Sequence, residues 1–341
     1  MADSPEELLP SPPFQRIPGL PNFRDLGGYP ISSSGSGEEE ADKMAKKRKM
    51  VRRNLIFRSS EPSRLTPDGV AQLQALGIAN VYDLRSALEI NRGLLKEGHR
   101  FPVKEWEGAR RVFVPVFLDE DYSPEALAVR YRNYLSESAQ LAQGFIQAYS
   151  DMLTAAAEPS NSYQPFKTIL SHLSSSPKAN ANANATSPST SAPSSSSSPA
   201  ATTPPAPSPC LIHCTAGKDR TGLICALILS LCGVADDVVA HEYSLTDLGL
   251  RSRHPELVAL IMANPELGAD PQSARRMVGA QKEAMLGTLA RIRETYGSVE
   301  KCVLDLGLLS PEGISQLRSN LIVDADENEV VPWQDHAKLL L

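Results

Sequence analysis

In residues 209–231, PCLIHCTAGKDRTGLICALILSL, an apolar strand-like run, a polar turn and an apolar helix-like run follow one another directly. That junction limits what the chain can become. The short run before the turn has the length of a buried strand. The apolar stretch 223–235 is too short to cross a bilayer and reads as a buried helix. A buried strand leading through a tight turn at 214–218 into a buried helix calls for a sheet covered by helices, an α/β sandwich.

Other segments fit that architecture. LPNFRDLGGY (20–29), closed by Gly27 and Gly28, and NLIFR (54–58) have strand character and can pair as a hairpin. Thr66 is placed to cap a helix to about Leu76, with Pro67 in its first turn and Gly77 as its stop. IANVYDL (78–84) and RVFVPVF (111–117) read as strands, and 124–157 as a long amphipathic helix. Segments 235–250, 255–262, 272–296, 298–306 and 311–321 read as helices. The expected fold is α/β: a three-layer sandwich with a central, largely parallel sheet and an α-rich C-terminal part.

A hydrophobic content of 41% supports a real core. Ser, Pro and Ala crowd into 174–209, which cannot bury enough apolar surface to offset its ordering entropy and is expected to be disordered. Residues 31–53 read as a second, polar insertion, acidic and then basic. With 1–15 as a flexible N-terminus, 16–341 is expected to form a single domain carrying both insertions. The basic run KKRKMVRR (46–53) reads as a solvated loop before it reads as an anionic-membrane contact or a nuclear import address. A net charge of -6 argues against a nucleic-acid partner. The acidic, Pro-rich start has no apolar core of signal-peptide length, and no segment is long enough to span a membrane, so a cytoplasmic location is expected. Five cysteines, 210, 214, 225, 232 and 302, form an odd set without paired spacing, as befits free thiols.

Cys214 stands where the strand meets the helix. A thiol attacks as its thiolate, and an unperturbed cysteine is only ~3% ionised at pH 7. The free N–H groups and dipole of the following helix, with the cation of Arg220, favour the charged form. The N–H groups of Thr215, Ala216, Gly217, Lys218 and Asp219, with the planar fork of Arg220, can bind three phosphate oxygens and follow them as phosphorus passes to sulfur. Gly217 permits the tight turn. Thr221 is placed to stabilise the sulfur as it leaves a phosphocysteine intermediate. His213 precedes the nucleophile as a supporting residue. A zinc site from Cys210, His213 and Cys214 lacks a second ligand pair of matching spacing, and no metal or other cofactor is expected.

HCTAGKDRTG (213–222) resembles the active-site loop of the cysteine phosphatases that carry HCX5R, and among them the atypical bacterial and fungal tyrosine and lipid phosphatases with HCxAGKDRTG. NFRDLGGY (22–29), FRSSEPSRLT (57–66), DLRSALE (83–89) and YGSVEKCVLDLGLLSPEGISQLR (296–318) look like further blocks of that family. The resemblance implies a protein tyrosine phosphatase-like fold and a metal-independent two-step mechanism. It also implies phosphotyrosine protein substrates, with phosphoserine, phosphothreonine or phosphoinositides in some members. A phosphate-binding pseudophosphatase would typically lack the cysteine or the arginine, and this chain keeps both. A sulfurtransferase-type or arsenate-reductase-like loop uses a similar cradle, and Thr221 and the family blocks weigh against it.

The leaving oxygen needs a proton. Asp219 lies inside the cradle, where the related atypical phosphatases keep their acid. Asp119 or Asp121 occupies the strand-to-helix loop that carries the acid in ordinary dual-specificity enzymes. Asp219 is the favoured reading, against a role in capping the helix or orienting Arg220. Asp83 ends a strand facing the same cleft and is a supporting residue, while Arg85 and Glu89 have the i,i+4 spacing of a helical ion pair. Lys218 brings a second cation that would suit a multiply phosphorylated inositol ring. Cys210 is about 13 Å from Cys214 along an extended chain, too far for a disulfide without rearrangement, and Cys225 is expected to face the core.

Overall fold

Three four-residue strands send their side chains alternately to two buried faces, and the remaining elements are arranged around them. The computed structural model describes residues 9–32, 48–92, 104–122, 141–176, 207–263 and 269–339. In chain order the first elements are β1 (Arg24–Asp25), β2 (Arg48–Val51), β3 (Ile56–Ser59), α1 (Pro67–Ala75), β4 (Asn80–Asp83), α2 (Ala87–Arg92) and β5 (Arg110–Phe113). After α3 (Leu141–Ala157) and α4 (Pro165–Leu173) come β6 (Cys210–His213) and α5 (Asp219–Leu231). The final third contains α6 (Asp236–Ser244), α7 (Thr246–Gly249), α8 (His254–Met262), α9 (Pro271–Val278), α10 (Lys282–Tyr296), α11 (Val299–Asp305), α12 (Pro311–Leu321), β7 (Ile322–Ala325) and α13 (Trp333–Ala337).

The main sheet has the order β1-β3-β6-β4-β5. Strands β3, β6, β4 and β5 are mutually parallel, and β1 joins β3 antiparallel, with Arg24 opposite Arg58. The two-residue period then sorts the core. Ile56, Tyr82, Cys210 and Ile212 face one apolar cluster with α3, α4, α5, α6 and α10, while Phe57, Val81 and Leu211 face another with Leu65, Leu73, Ile78 and Trp106. Both faces are covered, which gives the three-layer α/β arrangement expected of parallel strands buried on both sides. Helix α5 is buried continuously from Thr221 to Leu229, as suits a helix surrounded by others. At the start of α1 the Thr66 hydroxyl accepts from the Gly69 N–H, the cap read from the sequence.

Several elements differ from expectation for identifiable reasons. The helix expected over 272–296 is two helices: Gly279 is extended (ψ 151°), and the Ala280 N–H is taken by the Asp247 carboxylate at 2.8 Å. The one expected over 235–250 is likewise divided, between Ser244 and Thr246. Strand β5 stops at Phe113, before Pro115, which has no N–H to continue a ladder. Part of the segment read as a polar loop over 31–53 is a strand, since β2 pairs antiparallel with β7. There Met50 and Val51 are buried, and Arg52 donates to the Asn320 carbonyl at 2.7 Å. Residues 33–47, the part 124–140 of the expected long helix, and 177–206 of the Ser/Pro/Ala-rich segment lie outside the described residues.

All five cysteines are free and buried. Burial pushes the thiols of Cys225, Cys232 and Cys302 up to about 12, so these remain protonated at neutral pH. No helix among the described residues is long and apolar enough to cross a membrane.

Candidate active site

Because β3, β4 and β6 are parallel, their carboxyl ends reach the same edge of the sheet, with Ser59 and Asp83 in register with His213. Ligands of open parallel sheets bind at that edge, where strand-to-helix loops and helix N-termini gather. The loop after β6 begins at Cys214, which is 2% exposed, and leads into α5 at Asp219. Gly217 takes φ +68° and lies so close to Ser59 that a Cβ would sit 2.1 Å from its carbonyl oxygen. Any side chain there meets both the left-handed backbone and that clash. The Gly217→Ala variant is therefore expected to lose about 1–3 kcal/mol of stability, read as a lower urea midpoint at unchanged slope.

Buried polar side chains behind the loop aim it. Asn22, itself in left-handed backbone (φ 61°), donates its amide to the carbonyls of Ala216 (3.1 Å) and Gly217 (3.3 Å). Arg58 donates to the Gly217 carbonyl at 2.7 Å. In a trans peptide the C=O and N–H point in opposite directions. Holding these carbonyls from behind turns the N–H groups of Gly217 and Lys218 away from Asn22 and Arg58, the orientation an anion cradle needs. Arg24 and Arg58 grip the two oxygens of Glu242 from either side, at 2.7 and 2.6 Å, with all three side chains 0–2% exposed. Arg24 also donates to the Asn22 side chain and to the Thr246 hydroxyl. Burial works against the charge of Glu242, but the two guanidiniums prevail and hold its carboxyl below the usual range. Two cations share one anion, which leaves a surplus positive charge behind the loop.

Arg220 donates to both oxygens of Glu89, at 2.6 and 2.7 Å, and to the Leu84 carbonyl at 3.2 Å. Glu89 also accepts from the Thr215 hydroxyl (3.1 Å) and from the Ser86 N–H (2.9 Å). Ser86 in turn accepts from the Glu89 N–H at 3.1 Å, and this closes the first turn of α2. The i,i+4 pairing read for Arg85 with Glu89 gives way to a different one: Arg85 grips Asp83 through Nε and Nη2, both at 2.9 Å, and Arg111 adds a bond of 2.9 Å. Burial works against the Asp83 carboxylate, yet the surrounding cations hold it below the usual range. His213, pushed below the usual imidazole range by burial, stands 3.9 Å from Asp83.

Of the carboxylates considered as proton donors, Asp219 lies at the loop itself. Its Oδ1 accepts from the Tyr149 hydroxyl at 2.8 Å and stands 3.4 Å from the Lys218 ammonium. It does not cap α5, whose N-cap is Lys218. Asp119 accepts from the Leu88 N–H (3.1 Å), and Asp121 from the Leu118 N–H (2.8 Å), within the turn Asp119–Tyr122. Lys218, read from the sequence as a second cation of the cradle, is held by the next helices. Its ammonium donates to the carbonyls of Met277 (2.5 Å) and Gly279 (3.1 Å) at the break between α9 and α10, and lies 4.9 Å over the Phe145 ring. The Thr221 hydroxyl is buried and has no hydrogen-bond partner among the described residues.

Residues 15–183 and 197–323 match the tyrosine phosphatase family. The chain belongs to that family. The tyrosine phosphatase match takes in both the loop 213–222 and the residues behind it, Asn22, Arg24, Arg58 and Glu242. The chain is similar to the triple specificity protein phosphatase PtpB of Mycobacterium tuberculosis, 26% identical over 329 residues that cover 90% of this chain and 99% of that protein. It is also similar to a tyrosine-protein phosphatase of Nostoc commune, 33% identical over 115 residues that cover 33% of this chain and 38% of that protein. It is thus a hydrolase of the protein-tyrosine-phosphatase type, and membership of the family implies phosphorylated substrates. Among the described residues no group of three or more His, Cys, Asp or Glu side chains is arranged to hold a metal ion.

Proposed function

We propose that the chain hydrolyses phosphate monoesters in two steps through a phosphocysteine on Cys214. Its substrates are phosphotyrosine proteins, with phosphoserine, phosphothreonine or phosphoinositides also accepted. The observation that carries this reading is the aim of the loop, whose carbonyls at 216 and 217 are held from behind by Asn22 and Arg58, with Cys214 at its head. Inward N–H groups and the Arg220 guanidinium bind the phosphate oxygens and stay with them as charge shifts. Glu89 fixes the plane of that guanidinium, so its fork meets the phosphate in one orientation.

In the first step the Cys214 thiolate attacks phosphorus, the bond to the leaving oxygen breaks, and Asp219 gives that oxygen its proton. In the second, water attacks phosphorus, Asp219 takes up a proton from it, and the P–S bond breaks to restore the thiolate. The buried Thr221 hydroxyl stabilises that departing sulfur. The mycobacterial relative is named a triple specificity phosphatase, which supports a range wider than phosphotyrosine. Phosphate release from a phosphotyrosine peptide is expected to fall about 10²-fold in Asp219→Asn and to stay near wild type in Asp121→Asn. The opposite pattern would move the proton donor to the turn at 119–122.

A further inference from the structure

Two tyrosines outside the phosphate loop form a hydrogen-bonded line that ends on Asp219. Tyr149 donates to Asp219 Oδ1 at 2.8 Å, and the hydroxyl oxygens of Tyr149 and Tyr243 are 2.5 Å apart. The rings are 0% and 1% exposed and meet edge to face, with centroids 6.1 Å apart. A phenol carries one hydrogen. With the Tyr149 hydrogen given to the carboxylate, the bond between the tyrosines is donated by Tyr243. Burial, with the Asp219 carboxylate nearby, keeps the Tyr243 hydroxyl well above its ordinary range, so it remains a donor at neutral pH. The line joins three helices, Tyr149 on α3, Tyr243 on α6 and Asp219 at the head of α5. Gly222 makes room for it, since a Cβ there would lie 2.8 Å from the Tyr243 ring.

We infer, on the reading that Asp219 is the proton donor, that Tyr149 is its positioning residue: the Tyr149 hydroxyl, held in turn by Tyr243, fixes Oδ1 and leaves Oδ2 to carry the proton. Oδ1 faces a hydroxyl hydrogen and, at 3.4 Å, the Lys218 ammonium, so a proton on Oδ1 would meet other donors head-on. In the first step the Oδ2–H bond breaks as the leaving oxygen takes the hydrogen, and both tyrosine hydrogens stay in place. A carboxyl free to turn would offer its proton in the productive direction for only part of the time, and a pinned one avoids that loss.

The consequence depends on the leaving group. A nitrophenolate departs with little help from an acid, whereas the phenolate of tyrosine, with a parent pKa of about 10, needs more. The test compares wild type, Tyr149→Phe, Tyr243→Phe, Asp219→Asn and the Tyr149→Phe, Asp219→Asn double variant on p-nitrophenyl phosphate and on a phosphotyrosine peptide. The readout is kcat/KM, which reports the first step. Tyr149→Phe is expected to lose about tenfold on the peptide, at least about three times its loss on p-nitrophenyl phosphate. Tyr243→Phe is expected to have the same pattern at smaller amplitude, and the double variant to lose no more than Asp219→Asn alone. Equal losses on both substrates, or a further loss in the double variant, would make Tyr149 a packing residue and overturn the assignment. If Asp219→Asn is sensitive to the leaving group and Tyr149→Phe is not, Tyr149 has no positioning role. If Asp219→Asn is itself indifferent to the leaving group, Asp219 is not the donor and both assignments fall.

Discussion

Replacing Glu242 with glutamine is expected to destabilise the protein by about 3–5 kcal/mol at pH 7, measured by urea unfolding. The amide keeps the volume of the carboxylate and can still accept a bond from Arg24 or Arg58. What it removes is the negative charge that two guanidiniums bond directly, both of them 0% exposed. The cost therefore arises from stranding buried cations, and it is large beside the total stability of a domain, about 5–15 kcal/mol. The folded-state carboxyl of Glu242 is held below its unfolded value. Its contribution is then complete above the ordinary glutamate range and is lost as pH falls through the folded-state value, so the gap between wild type and variant should narrow in acid. Glu300→Gln is the comparison, because its pair with Arg318 is 39–45% exposed and should cost less than about 1 kcal/mol. If the two variants lose equal and small amounts, the buried triad is not what secures the loop.

The residues at the head of the site were legible because they are consecutive. A strand, a turn and a helix within 209–231 fix their own geometry, and Cys214, Gly217, Asp219, Arg220 and Thr221 share that segment. Strands β3, β4 and β6 and the Thr66 cap were readable for the same local reason. The support behind the loop was not. Arg24 and Arg58 are visible in the sequence as charges within apolar segments, but their common partner, Glu242, comes from a distant helix and only the packed fold joins them. Glu89 was misread in a more instructive way. Helical spacing pairs it with Arg85, yet α2 starts at Ala87, so Arg85 lies outside the helix to which the spacing rule applies. That leaves Arg85 to hold Asp83, and Glu89 to hold Arg220. Strand β2 was hidden because its basic residues read as solvated while its partner, β7, lies near the C-terminus. Tyr149 carries no local signal, since its role depends on a contact between α3 and the head of α5.

A larger effect is expected at Cys214. Serine has nearly the same shape, and the loop that Asn22, Arg58 and Gly217 hold in place does not need the sulfur to keep its form. Substrate should still enter Cys214→Ser and meet the N–H groups and Arg220. A hydroxyl is a far weaker acid than a thiol, however, so the attacking anion is missing, and an oxygen ester would be a poorer intermediate to break. Binding should survive while turnover is lost. Phosphate release from a phosphotyrosine peptide by Cys214→Ser tests the whole account most directly. The predicted result is a kcat lower by at least ~10⁴-fold with the peptide still bound, and turnover at the wild-type rate would contradict it.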